Sequence, residues 1–132
     1  MSEAGEIRNT LYRLAWGGDQ RELQCLKDGY TSDVRWVRQV SEDQVETVEG
    51  LDAILARTQE VWAKNPAAKN RHVISNVFIQ RETASEAEVT SYKTMIRTID
   101  GKAVIASTGW YRDRMVKEDG VWKVKDRHIT QD

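Results

Sequence analysis

The chain has 132 residues, the size of one domain, and its 39% hydrophobic and 31% charged residues suit a globular fold. Its 20 lysines and arginines nearly balance its 21 aspartates and glutamates, so the net charge of −1 excludes the basic field that nucleic acids and anionic membrane surfaces require. No apolar run approaches the roughly 20 residues of a spanning helix, no secretory signal is recognisable, and the single cysteine, Cys25, cannot form an internal disulfide. We therefore expect one cytoplasmic domain, residues 1–132, with no nucleic-acid or membrane partner.

The N-terminal part of the chain has a helical pattern. Apolar residues recur at helical spacing over residues 6–16, which predicts a first helix that Gly17-Gly18 stops. The spacing Asp19-x-x-Glu22 is that of a capping box, so Asp19 is predicted to cap a short second helix.

A strand, a short return strand and a third helix follow. Polar and apolar residues alternate over residues 34–40, and a return strand is predicted near residues 45–48. Gly50 precedes an apolar helical face that ends at Asn65-Pro66, because proline cannot continue a helix.

After Pro66 the hydrophobic pattern changes to a period of two residues, which indicates strands. Four strands are predicted, over residues 71–83, 87–99, 103–117 and 121–130. The Asp100-Gly101 and Asp119-Gly120 pairs are strong hairpin signals. Helices followed by an antiparallel meander predict an α+β fold, in which a curved sheet wraps three helices and forms a cone with an internal pocket.

Aromatic residues are numerous, with five tryptophans and four tyrosines. Such side chains fill cores, and they also line pockets for flat organic ligands. On the later strands, Tyr92, Trp110 and Tyr111 are candidates for the pocket. Alternation places Trp110 and Tyr111 on opposite faces, and the sequence does not decide which face is inside.

His72 is the first candidate for chemistry. It opens a predicted strand and shares a face with Ile74, Asn76 and Phe78. Because histidine titrates near neutrality, it suits a general acid or base in a dry pocket, and Asn76 would add a polar group that orients a ligand. The alternative is a hydrogen-bonded histidine with a structural role.

Two charged residues are further candidates. Besides capping a helix, the Asp19 carboxylate can lie at the mouth of a cavity beside the glycine bend and Trp16. Arg127, if it faces inward, is a permanent cation suited to an oxyanion or a leaving anion. The run Arg112-Asp113-Arg114 is interpreted as a solvated face. Two histidines are too few for a three-histidine metal centre, and we expect neither metal nor cofactor.

Several short motifs, in this order, resemble those of the nuclear-transport-factor-two-like, SnoaL-like superfamily. They are Asp19 after the glycine bend, Tyr30-x-x-Asp33-Val34-x-Trp36, Arg71-His72-x-x-x-Asn76-Val77 and Asp119-Gly120-Val121-Trp122-Lys123-Val124. The resemblance covers nearly the whole chain. It implies three N-terminal helices wrapped by a curved, mostly antiparallel sheet, and a homodimer or homotrimer.

Within this superfamily the motifs are most similar to those of scytalone dehydratase and hexachlorocyclohexane dehydrochlorinase. The resemblance implies an Asp–His pair, Asp19 and His72, in which histidine takes a proton while a leaving group departs. It matches Arg127 to an active-site arginine of the dehydrochlorinase, and Trp36 and Tyr111 to positions that line the pocket. The implied function is a cofactor-independent lyase or isomerase, similar to a dehydratase or cyclase, acting on a small hydrophobic, aromatic or polyketide-like substrate.

Two observations leave alternatives open. The second histidine of the dehydratase has no counterpart near Ile96–Ile99, so scytalone itself is not the expected substrate. The C-terminal half also resembles the small (β) subunit of ring-hydroxylating dioxygenases, which implies a non-catalytic binding or assembly role. The predicted catalytic residues are His72, Asp19 and Arg127, and the predicted substrate-binding residues are Trp16, Trp36, Asn76, Tyr92 and Tyr111.

Overall fold

Three helices and six strands make up the described part of the chain, residues 2–132 of a computed structural model. The helices are α1 (Glu3–Gln20), α2 (Leu23–Gly29) and α3 (Leu51–Lys64). The strands are β1 (Tyr30–Gln39), β2 (Val45–Glu49), β3 (Lys69–Arg81), β4 (Glu86–Ile99), β5 (Lys102–Glu118) and β6 (Val121–Gln131). No helix within these residues is long and apolar enough to cross a bilayer.

All six of these strands belong to one curved sheet, in the order β2-β1-β6-β5-β4-β3. Neighbouring strands are antiparallel, except that β1 runs parallel to β6. This parallel contact joins the two halves of the chain and places Trp36 opposite Arg127. The predicted α+β fold with a mostly antiparallel sheet is confirmed.

The two Asp-Gly turns form as predicted. Asp100 and Gly101 have φ angles of 52° and 76°, and Asp119 and Gly120 have φ angles of 50° and 78°. Two successive residues with positive φ are what a tight hairpin turn of this type requires. The β4–β5 and β5–β6 hairpins therefore follow from the sequence.

The first helix is longer than predicted. α1 continues through Gly17 and Gly18 to Gln20, and Arg21 ends it with a φ of 60°. Gly17 is required by close packing against α2, since a Cβ at this position would lie 2.6 Å from the Cβ of Cys25. The prediction that the glycine pair stops the helix was therefore wrong.

The predicted capping box was wrong as well. Asp19 lies in the last turn of α1, and the residue that precedes α2 is Glu22, which makes no side-chain capping hydrogen bond. The carboxylate of Asp19 binds β3 instead, at His72.

The core lies between the helices and the concave face of the sheet. Its fully buried members include Ile7, Leu11, Ile54, Val34, Val89, Met115, Trp122 and Val124. The indole of Trp122 donates a hydrogen bond to Glu3 at 2.6 Å, and Lys117 binds the same carboxylate at 2.8 Å. These contacts attach the start of α1 to β5 and β6.

A bulge in β3 changes the face that its residues present. The pairing with β4 shifts between residues 75 and 78, and Asn76 adopts a φ of 50°. His72 and Ile74, before the bulge, face the concave side, whereas Asn76 and Phe78 are exposed. The predicted common face of these four residues was therefore right only for the first two, because an extra residue in a strand inverts the alternation that follows.

Candidate active site

A cavity of about 420 Å³ lies between the concave face of the sheet and the three helices. Its apolar wall includes Leu11, Leu14, Leu26, Val48, Val61, Trp62, Ile74, Met95 and Ile129. Its polar lining includes Tyr30, Trp36, His72, Lys93, Tyr111 and Arg127. A concave, mostly apolar space with a few converging polar groups is the usual form of a small-molecule site.

Asp19 and His72 form a hydrogen-bonded pair at this cavity. One carboxylate oxygen, Oδ1, lies 2.5 Å from His72 Nδ1, and the other, Oδ2, accepts a hydrogen bond from the His72 backbone N–H at 2.7 Å. The Asp19 side chain is 8% exposed and that of His72 is 27% exposed. Because Nδ1 is held by the carboxylate, Nε2 is the ring atom left for a molecule in the cavity.

The position of Asp19 is unfavourable for the helix that carries it. The last turn of a helix has a partial negative charge, so a carboxylate there costs about 0.3–1 kcal/mol unless it is compensated. The last turn of α1 contains no basic residue. The backbone N–H and ring of His72 supply the compensation, because α1 packs against β3 and brings the two residues together.

Arg127 faces inward, and it is 7% exposed. Its Nε and Nη2 donate hydrogen bonds to the two carboxylate oxygens of Asp113 at 2.8 and 3.0 Å, and its Nη1 donates to the Tyr30 hydroxyl at 3.4 Å. Burial alone would lower the pKa of Arg127, but the Asp113 carboxylate together with Tyr30 and Tyr111 outweighs burial and raises that pKa above the usual arginine value. Arg127 is therefore a permanent buried cation.

Asp113 was missed, because the prediction of a solvated Arg112-Asp113-Arg114 face was wrong for its central residue. Asp113 is completely buried. The alternation of β5 contained the signal: Tyr111, Asp113 and Met115 occupy every second position, so an inward Tyr111 requires an inward Asp113.

Two buried tyrosines lie beside Arg127. Its guanidinium is 4.0 Å from the ring centroid of Tyr111 and 5.9 Å from that of Tyr30. Burial raises the pKa of both phenols, so both hydroxyls stay protonated and can donate hydrogen bonds at neutral pH. Trp36 packs edge to face against Tyr30, with 6.0 Å between the ring centroids, and its Nε1 is buried. Tyr30 was missed as a site residue, although it begins the motif Tyr30-x-x-Asp33-Val34-x-Trp36.

Lys93 was also missed. It is 7% exposed, lines the cavity, and its Nζ lies 5.8 Å from the ring of Tyr111. Burial lowers the pKa of Lys93, and the nearby charges of Arg38 and Arg127 lower it further. Lys93 is four residues after the buried Val89 on β4, so the two side chains lie on the same face of the strand. Only this alternation could have indicated that Lys93 faces inward.

Two of the predicted substrate-binding residues, Trp36 and Tyr111, line the cavity, whereas Trp16 and Asn76 do not. Trp16 is 57% exposed, because it lies roughly 200° around the helix from the buried Leu14. Asn76 is exposed at the β3 bulge.

Tyr92 also lies outside the cavity. It is 58% exposed, because alternation along β4 turns it away from the face that carries Lys93. With Trp110 it lines a separate depression of about 530 Å³. We place the candidate active site in the smaller cavity, because it contains the Asp19–His72 pair and the buried polar groups described above.

The fold and the site define a class of protein: a cone-shaped α+β domain whose internal cavity carries a histidine held by a carboxylate. Residues 1–128 match the family model described as the SnoaL-like domain, and the chain belongs to this family. The predicted membership of the SnoaL-like superfamily is thus confirmed, while no curated protein sequence matches the chain.

Solved structures share this fold at low sequence identity. A variant of Rv3472 from Mycobacterium tuberculosis, a protein of unknown function, is 18% identical with a TM-score of 0.83, over 98% of this chain and 72% of that one. LinA, an HCH dehydrochlorinase, is 16% identical with a TM-score of 0.81, over 98% of this chain and 85% of that one. ActVI-ORFA from Streptomyces coelicolor is 16% identical with a TM-score of 0.83, over 98% of this chain and 96% of that one. Identities this low support the fold alone.

Proposed function

We propose that the protein is a cofactor-independent lyase or isomerase in which His72 removes a proton from a carbon atom of a small aromatic or polyketide-like substrate. The observation that carries this proposal is the 2.5 Å contact between Asp19 and His72 Nδ1, which leaves Nε2 for the cavity. The alternative is a binding or assembly subunit in which His72 is hydrogen-bonded and inert; the direct contact of its Nδ1 with a carboxylate, rather than a wide separation from Asp19, favours the enzyme. LinA and ActVI-ORFA, which share the fold, are consistent with such an activity at the level of the family.

The proton transfer uses the pair as a unit. Nε2 of His72 takes the proton from carbon, and the electron pair of the broken C–H bond forms a double bond as a leaving group departs from the neighbouring carbon. The Asp19 carboxylate stabilises the imidazolium that forms and holds the ring in the tautomer with hydrogen on Nδ1. The proton then passes to the leaving group, so that hydroxide leaves as water. For an isomerase it returns to another carbon of the substrate.

The two buried tyrosines are the hydrogen-bond donors for the charge that develops on the substrate. Tyr30 and Tyr111 remain protonated because burial raises their pKa values, and Arg127 lies beside both rings. In this proposal Arg127 acts through Tyr30. Arg127 Nη1 donates a hydrogen bond to the Tyr30 hydroxyl oxygen, and this makes the hydroxyl a stronger hydrogen-bond donor to the substrate. In this role Arg127 is a positioning residue, because it donates three of its five N–H groups to Asp113 and Tyr30.

The test measures proton abstraction without requiring the natural substrate. Bicyclic β-hydroxyketones with a fused aromatic ring are incubated with the protein in D₂O. NMR follows deuterium entering the carbon next to the carbonyl, and the unsaturated ketone that forms on loss of water together with its phenol tautomer. We expect the wild-type protein to catalyse exchange, elimination or both, and His72→Gln to catalyse neither.

The matched control is His128→Gln, which alters the other histidine. His128 is the neighbour of the inward-facing Arg127 on β6, so alternation turns it away from the cavity. The control is expected to behave like the wild type. A wild-type protein that catalyses neither exchange nor elimination with any of these β-hydroxyketones, or a His72→Gln variant as active as the wild type, contradicts the proposed function.

A further inference from the structure

Lys93 is a buried cation without a carboxylate partner. It is 7% exposed, and no carboxylate oxygen within residues 2–132 lies within 4.0 Å of its Nζ. Its charged neighbours are the cations Arg38 and Arg127, and the nearest ring is that of Tyr111. Removing an ammonium group from water without a counter-ion costs free energy, so burying Lys93 lowers the stability of the fold.

The other charged groups of the cavity do not neutralise Lys93. Arg127 and Asp113 neutralise each other, and so do Arg57 and Glu46. Arg97 binds only the neutral side-chain oxygen of Asn70, at 3.2 Å. Three cations of the cavity lining, Arg38, Lys93 and Arg97, therefore have no carboxylate partner within residues 2–132, and Lys93 is the most buried of them.

We propose that Lys93 binds a carboxylate group of the substrate, so that the cavity selects hydrophobic or aromatic carboxylic acids over neutral molecules of the same shape. This inference deepens the proposed function and rests on it for the identity of the reaction, although the binding itself does not depend on turnover. An anion beside Nζ supplies the counter-charge that residues 2–132 do not provide. It would also stabilise the charged form of an ammonium group whose pKa burial lowers.

The register of the sheet places Lys93 at a useful distance from the proposed base. His72 is paired with Met95 and Ile74 with Lys93 in the β3–β4 ladder, so His72 and Lys93 are diagonal neighbours on the concave face. Diagonal neighbours are about 7–8 Å apart, and their Cβ atoms are somewhat closer. A substrate whose carboxylate binds Lys93 would thus have its ring beside His72, in the part of the cavity that Tyr30 and Tyr111 line.

The experiment compares two probes that share a ring system and differ in charge, β-naphthoate and β-naphthamide, by isothermal titration calorimetry. The wild-type protein is expected to prefer naphthoate, and Lys93→Met to lose about tenfold or more of the naphthoate affinity, with naphthamide affinity unchanged. Lys123→Met is the matched control. It removes the same charge from β6 beside the buried Trp122 and Val124, on the face turned away from the cavity, and should keep the wild-type preference.

Each outcome decides the inference. Equal affinities for the two probes in the wild type, binding of neither probe, or a Lys93→Met variant that keeps the preference would overturn it. If Lys93→Met does not fold, Lys93→Gln is measured in its place and the same loss of preference is expected. His72→Gln should retain the preference for naphthoate, so failure of the catalytic proposal and failure of the carboxylate site give different results.

Discussion

Asp19→Asn is expected to slow the deuterium exchange and elimination by roughly 10²–10⁴, the usual contribution of positioned acid–base catalysis, and His72→Gln should slow them at least as much. The amide oxygen of asparagine can still accept a hydrogen bond from the His72 backbone N–H, which Oδ2 now accepts at 2.7 Å. The strand should therefore stay in place. The variant loses the negative charge that stabilises the imidazolium and the acceptor that fixes the proton on Nδ1.

The control for this variant is Glu22→Gln, which removes the carboxylate three residues after Asp19 in the chain. Glu22 lies between α1 and α2 and makes no side-chain capping bond, so this change should leave the rate and the folded structure unaltered. Circular dichroism and thermal melting would show that Asp19→Asn is folded. Turnover by the folded Asp19→Asn protein within a few-fold of the wild-type rate would show that Asp19 serves only to hold β3.

The second large effect concerns stability. Asp113→Asn leaves the Arg127 guanidinium buried without a counter-ion, and breaking a buried pair from one side costs about 3–5 kcal/mol in free energy of unfolding. Natural domains have about 5–15 kcal/mol in total, so this loss should be visible as a large shift of the urea midpoint. The double variant Asp113→Leu with Arg127→Met removes both charges, and we expect it to recover much of the loss.

The contrast for Asp113 is Asp33→Asn, which breaks an exposed pair. The Asp33 and Lys125 side chains are 65% and 43% exposed, and solvent screens their 2.8 Å contact, so the midpoint should hardly move. Equal midpoint shifts for Asp113→Asn and Asp33→Asn would contradict the assignment of Asp113 and Arg127 as an interior pair.

The sequence predicted the fold well because its signals are local. The period-two pattern after Pro66 and the two Asp-Gly pairs specify the meander without information from elsewhere in the chain. The errors arose where a distant contact decides the structure. Gly17 lies inside α1, where the close approach of α2 leaves no room for a Cβ, and Asp19 binds His72 instead of capping a helix.

The site was predicted in part, for reasons that differ between residues. Asp19 and His72 came from a family resemblance, and the structure brings them into contact. Asn76 was misplaced because a one-residue bulge leaves no clear mark in a single sequence. Asp113 and Lys93 are charged residues whose burial depends on their neighbours in the folded sheet, and the composition of their segments suggests only solvent exposure.

The most direct measurement of the central claim is the position of the proton on the neutral His72 ring, read from its ¹⁵N NMR shifts in the wild-type protein and in Asp19→Asn. Our interpretation requires hydrogen on Nδ1 in the wild type, leaving Nε2 with a free electron pair toward the cavity, and a changed tautomer population in Asp19→Asn. A wild-type ring with hydrogen on Nε2, or one unaffected by the Asp19 substitution, would show that His72 is not held ready to accept a proton from carbon.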